Sequence, residues 1–98
     1  MRIRYRSHAR AEVLKAATYY NDQAEGLGQR FHDEIDKVVL DILDLPILWP
    51  ITKYGTRVRI LVKPFPYSIH YKIVHDEIVI IAVAHQSRYP EYWIGRLD

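Results

Sequence analysis

Residues 67–85 read YSIHYKIVHDEIVIIAVAH, and their apolar spacing decides the class of fold. Tyr67, Ile69, Tyr71 and Ile73 alternate with Ser68, His70, Lys72 and Val74, the two-residue period of a strand with two unlike faces. His75, Asp76 and Glu77 make a polar reversal. From Ile78 to His85 the chain is apolar almost throughout, which marks the most buried strand of a sheet.

Upstream of this hairpin, the period of two begins just after Gly55. Val58, Ile60 and Val62 are expected on the covered face, with Arg57, Arg59, Leu61 and Lys63 on the other. Pro64-Phe65-Pro66 then interrupts pairing between strands. Further upstream the period is helical. Val13, Ala16, Ala17, Tyr20 and Ala24 make one stripe over His8 to about Ala24. Phe31, Ile35, Val38, Ile42 and Leu45, widened by Val39 and Leu43, make another over Gln29 to Leu45. Glu25-Gly26-Leu27-Gly28 permits a tight reversal between them, and Pro46 ends the second helix. Ile47 to Tyr54 reads as a connector with an exposed Trp49.

At the start, Ile3 and Tyr5 alternate with Arg2, Arg4 and Arg6, an edge strand with a charged outer face, and Ser7 is placed to cap the first helix. After His85 comes a polar and aromatic tail, Gln86 to Asp98, in which Pro90 opens a short final turn of helix. The order is β-α-α-β-β-β, an α+β domain with a helical hairpin packed on a small antiparallel sheet. Neither layer can bury its apolar side alone. Ninety-eight residues suit one domain over 1–98.

Composition narrows the partners. There is no cysteine, so disulfides and thiolate metal sites are excluded, which is compatible with a reducing cytoplasm. The N-terminus does not read as a secretory signal, and no apolar run approaches the roughly 20 residues that span a bilayer. The net charge of +2 conceals an asymmetry. Residues 20–45 carry two bases against seven acids, and residues 51–98 carry seven bases against four. Arg57, Arg59, Lys63 and Lys72, with His70, are expected to form a basic binding surface on the open sheet face, or else a merely solvated one.

The tightest constellation is His85-Gln86-Ser87-Arg88-Tyr89, with Tyr92 beyond it. Cleaving RNA without a metal needs a base for the 2′-hydroxyl, cations for the phosphorane and a proton for the leaving oxygen. His85, Arg59 or Arg88, and Tyr89 or Tyr92 have the chemistry for those roles. The alternative for His85 is a structural histidine anchoring the tail. His8, His32, His70 and His75 show no metal-ligand spacing with carboxylates, so neither a metal nor a cofactor is expected.

Five segments carry a further likeness: ATYY (17–20), GLGQRF (26–31), VRIL (58–61), FPYSIHY (65–71) and HQSRYPEYW (85–93). In this order they resemble toxins of the bacterial RelE/ParE superfamily over Tyr5 to Trp93. The resemblance implies a cytoplasmic toxin of a type II toxin–antitoxin system, including plasmid-stabilisation proteins, neutralised by a cognate antitoxin whose flexible segment wraps it. It implies one of two targets: the ribosome and its mRNA for RelE-like endoribonucleases, or DNA gyrase for ParE-like members. Arg59, His85, Arg88 and Tyr92 would be catalytic only in the first case. The strand after Gly55 lacks the paired lysines and the glutamate of ribonuclease members, and ATYY and FPY are closer to ParE-like proteins. The resemblance therefore leans to a ParE-like gyrase inhibitor. The alternatives are a RelE-like nuclease and an inactive remnant that only binds partners.

Overall fold

The structure is a computed structural model that describes residues 1–97, so the last residue of the predicted tail lies outside the described residues. The elements are β1 (Arg2–Tyr5), α1 (Ser7–Gln23), α2 (Leu27–Asp44), β2 (Arg57–Ile60), β3 (Tyr67–Val74) and β4 (Glu77–His85), followed by a 3-10 turn at Ile94–Arg96. The sheet order is β1-β4-β3-β2. The expected α+β architecture is present, with β1 at one edge. β1 runs parallel to β4 whereas the other pairs are antiparallel, so the sheet is mixed.

Both helical stripes reach one core, although Ala24 and Leu45, expected at their ends, are exposed. Ala9, Val13 and Ala16 of α1 and Phe31, Ile35, Val38 and Ile42 of α2 meet Ile69, Tyr71, Ile78, Ile80 and Val83 of the sheet. Tyr20, Phe31, Phe65 and Tyr67 close the hairpin end of this core, with ring centroids 5.0 to 6.3 Å apart, mostly edge to face. Tyr71 is fully buried, and its hydroxyl donates to the Pro46 carbonyl, tying the end of α2 to the sheet.

The hairpin turns at Gly26 alone, whose φ of 81° only glycine adopts without strain. α2 therefore starts at Leu27, two residues before the expected Gln29. Gly28 then lies inside α2, where it touches α1. A Cβ there would stand 2.2 Å from the Ala17 carbonyl oxygen and 2.7 Å from Asn21 Cγ. Its N–H donates to Asn21 Oδ1 at 2.9 Å. Ser7 is not a cap but the first helical residue; Arg6 holds the cap position, and its side chain does not cap the helix.

Three expectations about the sheet are corrected. β2 turns over relative to its predicted facing. Arg57 and Arg59 pair with Tyr71 and Ile69, which face the helices, whereas Val58 and Ile60 pair with His70 and Ser68. Ile60 and Val62 are 55% and 56% exposed while Leu61 is only 5% exposed. Leu61 fills the covered position, and at this sheet edge the arginines lie along the rim instead of entering the core. Second, the face opposite the helices is not open. Trp93, with Tyr54, Tyr92, Ile94 and Leu97, covers Val79, Ile81 and Ala82 as a second apolar layer. Third, Pro90 does not open the last helical turn. Glu91 adopts φ 63°, and the 3-10 turn begins only at Ile94.

Substituting Gly28→Ala is expected to force α1 and α2 apart and lower stability by about 1–3 kcal/mol in chemical denaturation. Gly95→Ala, where an added Cβ meets nothing, is expected to change it by less than about 0.5 kcal/mol. Equal effects would show that the helix contact does not limit packing.

Candidate functional site

β1 stops at Tyr5 because the chain must turn into α1, and its last bond to β4 is Arg6 N–H to the Ile80 carbonyl at 2.9 Å. β4 continues for five residues beyond that point. It carries a bulge there, since Ile80 faces Tyr71 and Ala82 faces His70, leaving Ile81 without a β3 partner. The extra residue reverses the parity of everything that follows. Val83 and His85 consequently face the helix side, opposite Ile69 and Tyr67.

Side chains take over where β1 leaves off. Glu12, on the sheet-facing stripe of α1, accepts the Val83 N–H at 3.0 Å. Arg96 donates to the Ile81 carbonyl at 3.1 Å and grips both Glu12 carboxylate oxygens, at 2.9 and 3.2 Å. Tyr92 donates its hydroxyl to the same carboxylate. Both members of the ion pair are largely shielded, with side chains 16% and 15% exposed. Burial, reinforced by the bond to Glu12, pushes the Tyr92 phenol far above its ordinary range. The clasp fastens the C-terminal tail to α1 and satisfies part of the strand edge that β1 leaves bare, the Val83 N–H and the Ile81 carbonyl.

Next to the clasp is a groove of about 360 Å³, lined by Lys15, Ala16 and Tyr19 of α1, Tyr67, His85 and Arg88 among others. The structure thus brings His85, Arg88 and Tyr92 of the expected catalytic set together. The Ser87 hydroxyl and N–H lie 2.7 and 3.0 Å from His85 Nδ1, and the His85 ring meets the Tyr67 edge at 5.0 Å. Arg88 stacks over Tyr92 at 3.9 Å. Tyr89 is 80% exposed nearby.

Arg59 is elsewhere. It lies over the Trp49 ring at 4.4 Å and 3.5 Å from Asp41 of α2, which leaves Trp49 half-buried rather than exposed. Arg57 is spent on the Ile47 and Trp49 carbonyls, at 3.1 and 2.8 Å. Lys63 borders α2 beside Arg30 and Asp33, and Lys72 pairs with Val79 on the opposite sheet face. The expected basic surface of Arg57, Arg59, Lys63 and Lys72 is therefore not one face. The turned-over β2 places its arginines toward the helices and their acids. His70 is half-buried, stacked on Trp93 at 4.8 Å, with Ser68 Oγ 3.0 Å from Nε2 and, among the described residues, no partner for the buried Nδ1.

Sequence reasoning missed Glu12 and Arg96. The signal for Glu12 was a carboxylate at the three- and four-residue spacing of Ala9 and Ala16, on a stripe otherwise apolar. The sequence carries no comparable mark for Arg96. On the outer surface of α2, ligand atoms of His32, Asp33 and Asp36 lie within 4.8 Å of one another. Those groups already pair locally, His32 with Asp36 at 3.3 Å and Gln29 with Asp33 at 2.8 Å.

Glu12→Ala strands the Arg96 charge and the Val83 N–H, and is expected to cost about 3–5 kcal/mol in denaturant unfolding. Adding Arg96→Ala should cost less than the sum of the single changes; strict additivity would contradict the clasp. His70 gives a pH dependence. Burial lowers its pKa from 6.5 to about 4, with Glu12 opposing weakly. The unfolded chain therefore takes up the proton first as pH falls. Stability is full above about pH 6.5 and drains by up to about 3 kcal/mol toward pH 4. Melting curves across that interval should show a smaller acid loss in His70→Gln; an identical loss would assign the effect to other groups.

Comparison with known proteins completes the description. No curated protein matches the chain. The family described as ParE toxin of type II toxin-antitoxin system, parDE, matches residues 3–90. The fold is similar to a solved structure described as the chromosomal ParDE TA system from P. aeruginosa. The TM-score is 0.64, and the match covers 87% of this chain and 95% of that one, at 16% identity. At that identity the structural likeness speaks for the fold, and the sequence match, which extends over nearly the whole chain, speaks for kinship. The chain belongs to the ParE toxin family of type II toxin–antitoxin systems.

Proposed function

We propose that this toxin acts by binding and not by cutting: it inhibits DNA gyrase and is held inactive by its cognate antitoxin. The observation that carries the reading is the dispersal of the groups a metal-free ribonuclease would need. Arg59 is held by Asp41 and Trp49, away from the groove that His85 lines. The Tyr92 hydroxyl is bound to Glu12, and its raised pKa makes it a weak proton donor. His85 and Arg88 remain, with Lys15 on the wall of the same groove and Tyr89 exposed nearby, but the Arg59 cation and the Tyr92 proton of the expected set are both engaged by acids. A binding toxin makes no such demand, since it needs only a rigid surface of defined shape and charge.

The antitoxin partner follows from the family, and the balance of charge supports an acidic one. A small domain with a cationic C-terminal half gains stability by mass action when such a segment orders on it. Among the described residues no helix is long and apolar enough to cross a membrane.

Purified toxin at about micromolar concentration is expected to block supercoiling of relaxed plasmid by gyrase, and the antitoxin should relieve the block. Growth arrest in cells is expected to persist in His85→Ala with messages intact. Message cuts during translation that disappear in His85→Ala would replace this reading with the ribosome-dependent nuclease.

A further inference from the structure

The first eleven residues hold four arginines and no acid, a concentration of charge that the function proposed above does not use. The fold gathers it around the free edge of β1. Arg2 N–H bonds the Asp76 carbonyl and Arg6 N–H bonds the Ile80 carbonyl, so the even-numbered residues turn their backbone toward β4. In a parallel pair the odd-numbered residues then turn theirs away, and the N–H groups of Ile3 and Tyr5 lie on the outer edge. Arg4 is in register with Val79, which lies under the tail layer, so Arg2 and Arg4 stand on the face away from the helices. Their spacing along the strand is about 6.6 Å, two residues of parallel strand. Tyr5 faces the helices, and the exposed Arg10 of α1 lies over its ring at 4.2 Å.

Among the described residues, the carboxylate that reaches this row is Glu77. It accepts Arg4 Nε at 3.0 Å and lies 3.7 Å from Arg2. A guanidinium held through Nε keeps both terminal nitrogens for another anion, and one laid over an aromatic ring keeps its in-plane N–H groups. The Arg2 and Arg4 side chains are 87% and 51% exposed. Glu77 therefore orients the row without neutralising it.

We propose that the β1 edge grips the phosphate backbone of duplex DNA through Arg2, Arg4 and Arg10. This contact deepens the gyrase reading and rests on it for its setting, because gyrase holds DNA while the toxin acts. Guanidiniums at a regular interval suit a polyanion with a regular charge repeat, and the edge N–H groups offer a second kind of phosphate donor. An acidic peptide added as a strand fits less well. Its alternate side chains would need room on the helix side of the edge, which Arg10 closes by lying on Tyr5.

Binding is measured without gyrase, by anisotropy of a fluorescein-labelled duplex of arbitrary sequence titrated with the intact toxin. The expected Kd is on the order of 10 μM at about 0.1 M salt. Three phosphate contacts predict that log K falls against log salt with a slope of about −2.7. Arg4→Gln and Arg10→Gln should each weaken binding about fivefold and flatten the slope by about one, with unchanged far-UV spectra. Glu77→Gln should tighten binding, since the amide oxygen can still hold Arg4 Nε while the negative charge is gone. Lys63→Gln, beyond the opposite edge of the sheet, should change nothing. A slope near zero, unchanged binding in the two arginine variants, an equal loss in Lys63→Gln, no tightening in Glu77→Gln, or displacement of the duplex by an equal charge of poly-Glu would each overturn the proposal. Supercoiling blocked by a toxin that does not bind the duplex would sink this contact and leave the gyrase reading standing. Duplex binding without any block would do the reverse.

Discussion

A single carboxylate joins three parts of the chain that are far apart in sequence. Glu12 bonds at once to the strand edge at Val83, to the tail through Arg96 and to the Tyr92 hydroxyl. The constraint behind it is elementary. A parallel edge strand that runs directly into a helix must stop short, and the neighbouring strand is then left with bare polar groups. Here the helix that cuts β1 short also supplies the carboxylate that repairs the edge. The repair recruits the tail, whose aromatic residues then cover the second face of the sheet.

The fold was legible because its signals are periodic. Seventeen- and eighteen-residue helices and eight- and nine-residue strands gave enough repeats to show their period. β2 has four residues, and at that length alternation shows that two faces exist without showing which is covered. Val58, Ile60 and Val62 are the more apolar set, and a reading by hydrophobicity chose them. Pairing with β3 chose otherwise, since Leu61 fits the core and Arg59 can lie over Trp49 beside Asp41.

The site was legible in part. His85, Arg88 and Tyr92 do share one groove, because the chain from β4 into the tail is nearly continuous there. The side of the sheet on which His85 stands was not readable. It depends on the bulge at Ile81, and a run as uniformly apolar as Ile78–Ala84 has no alternation to betray an inserted residue. The expectation of an open face opposite the helices failed for a similar reason. A tail of single aromatics without a period gave no hint that Trp93 packs back on Val79 and Ala82.

The two apolar layers divide the chromophores between them. The chain has two tryptophans, and the sheet stands between them: Trp49 packs with the helical layer and Trp93 lies in the tail layer. Emission from each indole therefore reports on its own side of the molecule. Replacing either one with phenylalanine would let loosening of the tail be followed separately from melting of the helical hairpin, with no dye attached.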